Sequence, residues 1–158
     1  SCDFDGDGYN DLAISYPQDD TASITDHGSV VVVYGGSKGI IANSAELYQQ
    51  GRNGLLDGKE DYDAFGIALT GGNFNGDEYC DLAVGSPYEN TPTAVDGGIV
   101  QILFGTVDGI TTVGNQLWYQ GHNGMLGIDQ SSDHFGWALA SIPFYNKIGH
   151  TYLPLVIR

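Results

Sequence analysis

The sequence is poor in basic residues and has no long apolar run. It carries 5 Lys and Arg residues against 20 Asp and Glu residues, which gives a formal net charge of −15. Nucleic acids and anionic membrane surfaces both bind clusters of Lys and Arg, so neither is an expected partner. No stretch approaches the roughly 20 consecutive apolar residues of a membrane-spanning helix, so insertion into a bilayer is not expected either.

Cysteine is also scarce, and sustained helical periodicity is absent. Cys2 and Cys80 lie at positions that do not correspond within the repeat described below, and the sequence alone leaves open whether they pair. No segment keeps the 3.6-residue apolar spacing of a helix. The 24 glycines instead indicate many tight turns, which favours short strands.

The chain contains an internal repeat with a spacing of 70 residues. Asp11-Leu12-Ala13 returns as Asp81-Leu82-Ala83, and Phe65-Gly66 returns as Phe135-Gly136. A repeat of this kind stacks one supersecondary unit on its own copies, because one unit cannot bury its apolar face alone. We therefore predict a single domain over residues 1–158, with repeat units at about 1–64 and 65–134 and a partial unit at 135–158.

Each unit is predicted to contain four short strands. They are rich in β-branched residues and bounded by Gly or Pro, as strands usually are. Short strands at regular spacing with Gly-rich turns indicate an all-β fold, and four strands in 70 residues are typical of a propeller blade. The predicted strands cover residues 11–16, 28–35, 46–50 and 65–70, their counterparts 81–86, 98–105, 116–120 and 135–140, and a last one at 153–158.

An Asp- and Gly-rich loop at residues 3–11 is the main candidate for a functional site. Ca²⁺ prefers about six to eight oxygen ligands, and alternate residues of a loop that wraps an ion point inward. Clustered carboxylates repel one another without a cation, which favours calcium over a turn that binds no metal. A helical calcium loop needs Glu at position twelve, where Ile14 stands, so this loop joins two strands. The predicted ligands are the side chains of Asp3, Asp5, Asp7 and Asp11 and the backbone carbonyl of Tyr9.

The second unit keeps this loop in a weaker form at residues 73–81. Two carboxylates are replaced by amides, so fewer ligand charges predict weaker calcium binding. Glu78 replaces Gly8 of the first loop and would be strained if this position keeps a positive φ. The third copy, at Ser141–His150, has no carboxylate and is not expected to bind metal. The predicted ligands of the second loop are Asn73, Asn75, Asp77, Tyr79 and Asp81.

Together, the Phe-Gly pairs, the loops at 3–11 and 73–81 and the strand end Gly85-Ser86-Pro87 resemble the FG-GAP repeat of integrin alpha-subunit propellers. The first copy departs from this pattern at Ser15-Tyr16-Pro17. The resemblance implies about two and a third four-stranded antiparallel β-propeller blades, with the Phe-Gly strand innermost and the calcium loops on one face. Ligands are then expected on the opposite face, at loops 18–27, 51–63, 88–97 and 121–133.

The resemblance implies an extracellular or cell-surface module, braced by Ca²⁺, for recognition, adhesion or structure, with a protein or glycan as ligand. The alternative is an accessory propeller segment of a secreted enzyme that cleaves polysaccharide or lipid. Catalysis within the segment is not expected, because we predict no nucleophile elbow and no zinc-binding helix. The histidines and the pairs Asp61/Asp63 and Asp129/Asp133 are expected to serve loops and blade junctions. The tyrosines and tryptophans are expected mainly in the core, with a sugar-stacking surface as the alternative.

Assembly is a further expectation. A propeller needs about four to eight blades to close, so we expect the chain to be part of a longer propeller. The alternative is that copies of the chain complete one another head to tail into a ring or filament, with residues 134–141 of one copy supplying a strand to the next. Deleting residues 134–158 would then abolish assembly.

Overall fold

The computed structural model describes residues 2–141, and within them the chain is an all-β protein. Predictions for Ser1 and for residues 142–158, which include most of the third loop and the last strand, lie outside the described residues. The only helical element of the described part is a 3₁₀ turn at Ala42–Ser44, and no helix there could cross a membrane. The strands are β1 (Leu12–Tyr16), β2 (Ser29–Val33), β3 (Glu46–Tyr48), β4 (Ala68–Gly72), β5 (Asp81–Ser86), β6 (Ile99–Thr106) and β7 (Gly109–Trp118).

The strands form two antiparallel sheets that follow chain order. The first sheet runs β1-β2-β3 and the second runs β4-β5-β6-β7. The 70-residue spacing is preserved in the strand register, since Leu12 pairs with Val33 and Leu82 pairs with Leu103. This architecture confirms the predicted fold class of propeller-type blades.

Three strand predictions need correction. The Phe65-Gly66 pair lies in a turn, where Gly66 has φ of 96°, and strand β4 begins only at Ala68. Residues 135–140 form no strand, because no described residue pairs with them as β5 pairs with β4. Strand β7 begins at Gly109, seven residues before the predicted start at 116, because the Val107-Asp108 turn folds it back on β6.

The Phe-Gly pair packs against the first sheet through Gly28. Phe65 is fully buried, and its backbone N–H donates to the His27 carbonyl at 3.1 Å. Gly28 has φ of 81°, and a Cβ atom on it would collide with the Phe65 backbone. Gly98 and Phe135 repeat this contact in the second unit. The paired motifs are therefore explained by close backbone contact between successive units.

The main core lies between the two sheets. Val30 and Val32 of the first sheet pack in one cluster with Leu82, Val84 and Leu103 of the second. Each of these side chains is almost completely removed from water, which contributes roughly 1.5–3 kcal/mol per side chain. The units therefore stabilise each other, as the repeat predicts.

Two tyrosines of the first unit, Tyr34 just after β2 and Tyr48 in β3, also bond to strand β7 of the second sheet. The hydroxyl of Tyr34 accepts a hydrogen bond from the backbone N–H of Ile110 at 2.7 Å and donates to Glu46 at 2.9 Å. The hydroxyl of Tyr48 has two acceptors for its one proton, Glu46 Oε2 at 2.5 Å and the Ile110 carbonyl oxygen at 2.8 Å. Burial, the largest cause, raises the pKa of both phenols, so both remain protonated as donors.

The Tyr34→Phe variant is expected to have a free energy of unfolding about 1–3 kcal/mol lower, because the buried N–H of Ile110 loses its acceptor. The second unit itself carries Phe at the matching position, Phe104. The change from Tyr16 to Phe serves as the control, since that ring is largely exposed, and should cost less than about 0.5 kcal/mol. Denaturant unfolding of both variants measures the difference, and equal stabilities would refute the role of the bond.

Candidate metal centre

The loop at 3–11 brings three of its predicted ligands together. One carboxylate oxygen from each of Asp3, Asp5 and Asp11 lies within 4.8 Å of the others. Two oxygens that share one Ca²⁺ at about 2.4 Å are at most about 5 Å apart, so this spacing fits a single ion. Asp7 is not part of this group. Its Oδ1 atom instead accepts a hydrogen bond from the backbone N–H of Tyr9 at 2.8 Å.

The last carboxylate of each loop anchors the loop to the sheet. Asp11 is buried, and its two oxygens accept hydrogen bonds from the backbone N–H groups of Phe4 at 2.6 Å and Gly35 at 2.8 Å. Asp81 is buried in the same way and accepts from Gly105 at 3.0 Å. These bonds hold the start of β1 and β5 against the end of β2 and β6, so each loop has a fixed base.

The second loop repeats the hydrogen-bond pattern of the first. The N–H of Gly76 donates to Asn73 Oδ1 at 2.6 Å, as the N–H of Gly6 donates to Asp3 Oδ1 at 2.7 Å. The predicted ligands Asn75, Asp77 and Tyr79 share a further pattern, because Asn75 Oδ1 accepts from Asp77 N–H and Asp77 Oδ1 accepts from Tyr79 N–H. The same loop geometry thus carries two amides in place of two carboxylates.

Positive φ is required at the fourth position of both loops. Gly6 has φ of 73° and Gly76 has φ of 84°. Gly8 also has a positive φ, but Glu78, its counterpart, is not among the residues in the left-handed region. The strain considered for Glu78 therefore does not arise, because the second loop bends differently there.

The charges of the first loop crowd one another. Burial, followed by the neighbouring carboxylates Asp11, Asp7 and Asp3, raises the pKa of Asp5. In the second loop, burial is the main cause that raises the pKa of Asp81. A bound cation would reduce the repulsion between these closely spaced carboxylates. A set of donors made only of oxygen suits a hard ion such as Ca²⁺.

A disulfide bond joins the two loops. Cys2 and Cys80 are bonded across 78 residues with their Cα atoms 5.9 Å apart, which resolves the pairing that the sequence left open. The backbone of Cys2 also pairs with that of Asp11 in an isolated antiparallel β-bridge. The backbone N–H of Cys80 donates to the Asp3 carbonyl at 3.1 Å. The two candidate metal loops are therefore neighbours in space and are held to each other covalently.

The opposite ends of the strands carry the loops predicted to meet a ligand. Thr25 N–H donates to Asp61 Oδ1 at 2.7 Å, which joins loop 18–27 to loop 51–63. An open cavity of about 570 Å³ lies there, and its lining includes carboxylates and two tyrosines. Those residues are Asp26, Asp61, Asp96, Tyr62 and Tyr88. The prediction that the tyrosines and tryptophans lie mainly in the core is wrong for the described residues, among which only Tyr34 and Tyr48 are buried. Tyr62 is exposed at this cavity, and Tyr9, Tyr16 and Trp137 are also exposed.

The described residues contain one pentapeptide, Gly35–Gly39, that matches the letters of a Gly-x-Ser-x-Gly elbow, although the sequence predicted no such elbow. The backbone of Ser37 there pairs with that of Gly39 in an isolated β-bridge, and a 3₁₀ turn follows at Ala42–Ser44. An elbow places its serine between a strand and an α-helix, so the letters occur here without that geometry.

Comparison with known proteins assigns the repeat. The model of the FG-GAP repeat matches residues 1–33 and 65–103. The chain is 31% identical over 109 residues to phosphatidylinositol-glycan-specific phospholipase D of Bos taurus, which covers 69% of this chain and 13% of that protein. It is 33% identical over 141 residues to integrin alpha-6 of Homo sapiens, which covers 87% of this chain and 10% of that protein. Integrin alpha-PS2 of Drosophila melanogaster is 34% identical over 109 residues, or 66% of this chain and 7% of that protein.

The chain thus spans about a tenth of the length of these relatives. The matched segments include both candidate metal loops, strands β1 and β5 and the Phe65-Gly66 pair. With the two antiparallel sheets and the Phe-Gly contacts, these matches show that the chain belongs to the FG-GAP repeat family.

Proposed function

We propose that the chain is a non-catalytic, extracellular recognition or adhesion module whose blades are braced by Ca²⁺. The observation that carries this proposal is the convergence of Asp3, Asp5 and Asp11 within 4.8 Å in a loop whose geometry recurs 70 residues later. The disulfide between Cys2 and Cys80 fits an oxidising compartment such as the extracellular space. Calcium would hold the first loop closed, and the disulfide would hold both loops in a fixed mutual position.

The ligand surface is the face opposite the metal loops. Its cavity of about 570 Å³ presents exposed Tyr62 beside Tyr88, Asp61 and Asp96. Tyrosine offers an apolar ring with a polar tip, which suits contact with a protein or a sugar ring. Because this face is distant from the metal loops along the strands, calcium acts on the blade framework and is not itself the ligand contact.

One face of the first sheet is suited to a further blade. Leu12 is 40% exposed and Ile14 is 37% exposed. Their counterparts Leu82 and Val84 are 1% and 0% exposed, because they pack against the first sheet. The exposed Leu47 lies on the same face, since Ile14 and Leu47 both pair with Val31. We propose that a preceding blade of the same polypeptide covers this face; a second copy of the chain is the alternative occupant.

An accessory role in a secreted enzyme is the second candidate. It is favoured by the 31% identity to an enzyme whose name states its specificity for phosphatidylinositol-glycan. In that case the chain would contribute a folded propeller segment, and another part of the polypeptide would carry the reaction.

A binding panel with a turnover assay tests the proposed function. The full chain, with Ca²⁺, is applied to arrayed glycans and matrix proteins and is separately incubated with polysaccharides and a glycosylphosphatidylinositol substrate. We expect binding to at least one arrayed class and no turnover. Changing Tyr62 to Ala should weaken that binding by about tenfold, which is about 1.4 kcal/mol of lost contact.

The control is Val113 changed to Ala, because Val113 is exposed on strand β7 outside the cavity. Equal loss of binding in both variants would reject the assigned surface. Turnover by the purified chain would reject the non-catalytic role.

A further inference from the structure

A second group of acidic side chains lies at the junction between the two units. One carboxylate oxygen from each of Glu60, Asp63 and Glu89 lies within 4.8 Å of the others. Glu60 and Asp63 belong to the loop that leaves the first sheet, and Glu89 follows β5 of the second sheet. We call these three residues the junction cluster. They are separate in sequence and position from the loops at 3–11 and 73–81.

The cluster contains buried oxygen atoms that have no hydrogen-bond donor. Asp63 is 1% exposed, and its Oδ1 atom is without a partner. Gln50 is 0% exposed, and its Oε1 atom is also without a partner. The Nε2 atom of the same amide donates to Glu89 Oε2 at 2.6 Å, so the amide group that carries this unpartnered oxygen is in contact with the cluster. Buried acceptors of this kind are costly unless a donor or a cation satisfies them.

The charged groups that most strongly affect the cluster are all acidic. Burial is the largest cause that raises the pKa of Glu89 to about 9, followed by Asp63, Asp57 and Glu60. Burial likewise raises the pKa of Asp63 to about 7, with Glu60, Asp57 and Asp61 as the acidic neighbours. Buried carboxylates are normally paired or bound to a metal, and none of these strongest neighbours is a cation.

The repeat supplies an internal comparison. The counterparts of Gln50, Glu60 and Asp63 are Gln120, Gln130 and Asp133. There Asp133 Oδ2 accepts hydrogen bonds from the backbone N–H of Gln130 at 3.1 Å and, in the orientation that satisfies its amide, from Gln120 at 2.5 Å. The second unit thus replaces one acid by an amide and provides a donor from Gln120. Asp133 therefore has a side-chain donor that Asp63 lacks, although Asp129 Oδ1 in the same loop is also buried without a partner.

We propose that the junction cluster, together with the side-chain oxygen of Gln50, binds a divalent cation of the calcium type. Three carboxylates and one amide oxygen form an all-oxygen donor set of the kind that Ca²⁺ takes, and water can complete the coordination. The ion would link the end of the first sheet to the start of the second unit's ligand-facing loop, so it would fix the angle between the two units.

The test uses the full chain, labelled with ¹⁵N and titrated with Mn²⁺ as a paramagnetic probe for oxygen-ligand cation sites. Bound Mn²⁺ broadens nearby amide signals, so each site is observed separately. We expect broadening at the amides of Gln50, Glu60, Asp63 and Glu89. Changing Glu60 to Gln, which copies Gln130, should weaken this broadening by about tenfold in Mn²⁺ concentration, because a ligand charge is lost.

Three further variants make the result specific. Glu89→Gln should abolish broadening at the cluster. Glu89 is buried, so if this variant does not fold, the Glu60→Gln variant, which changes an exposed residue, still tests the site. Asp108→Asn, in the exposed β6–β7 turn, removes an equal charge elsewhere and should change nothing. Asp5→Asn should alter broadening in the loop at 3–11 and leave the cluster unchanged.

The outcomes separate this proposal from the calcium loops. Broadening at the cluster that depends on Glu60 supports the junction site, whether or not residues 3–11 and 73–81 also respond. Broadening at the two loops alone overturns the junction site and leaves the loops standing. Broadening nowhere overturns both, and broadening at the cluster that survives Glu60→Gln and Glu89→Gln overturns the assigned ligands.

Discussion

Removal of divalent cations is expected to lower the thermal unfolding midpoint of the chain, and added Ca²⁺ is expected to restore it. An ion that binds only the folded state at a hundredfold excess over its dissociation constant adds about 2.7 kcal/mol of stability per site. The physical reason is the approach of Asp3, Asp5 and Asp11 within 4.8 Å, which is repulsive without a cation and attractive around one. Circular dichroism melts in chelator and in Ca²⁺ measure this shift.

The Asp5→Asn variant is expected to change stability in opposite directions in chelator and in Ca²⁺. In chelator the variant should be at least as stable as the parent chain, because one repelling charge is gone. In Ca²⁺ it should be less stable, because one ligand charge is gone. The exposed Asp108→Asn variant controls for net charge and should behave as the parent in both. A calcium response in Asp5→Asn that equals that of the parent would exclude the loop as the site.

Loss of the disulfide is expected to have the other large effect. Cys2 and Cys80 close a segment with a sequence separation of 78, and in the chain-entropy model a closure of that length contributes about 4.5 kcal/mol to stability. The double variant with Ser at both positions should therefore unfold at a clearly lower denaturant concentration. Equilibrium unfolding in denaturant, with Ca²⁺ held constant, measures the loss.

The parent chain under reducing conditions is the matched control for that variant. Reduction should lower the stability of the parent to about the level of the double Ser variant and should leave the variant itself unchanged. Two free thiols in the purified, oxidised parent would contradict the bond between Cys2 and Cys80. We also expect weaker calcium binding in the double variant, because the two loops lose their covalent link.

The repeat allowed most of the fold to be predicted, because one spacing carries strands, turns and loops together. Leu12 and Leu82 occupy matching strand positions, and their pairing partners Val33 and Leu103 match as well. Where the copies differ, the repeat was uninformative. The β6–β7 hairpin extends to Gly109 in the second unit only, although the Asp108-Gly109 pair is a hairpin signal that could have indicated it.

The candidate loops were predictable for a different reason from the junction cluster. The residues of loop 3–11 are close in sequence, so their spacing alone indicates a common ion. The junction cluster joins residues 60, 63 and 89 with residue 50, which become neighbours only when the second sheet packs on the first. Pairing of Cys2 with Cys80 depends on the same packing, since it joins loops of different units. No local pattern contains that information.

A Ca²⁺ titration followed at individual amides measures calcium binding at each loop separately. We expect the amide signals of residues 3–11 to shift and saturate first, and those of residues 73–81 to follow at higher Ca²⁺, because two amides replace two carboxylates there. Calcium sites of extracellular modules bind at about 10⁻⁴ to 10⁻³ M, so the titration should extend through that range. Signals of residues 3–11 that do not move at saturating Ca²⁺ would contradict the claim that calcium braces this module.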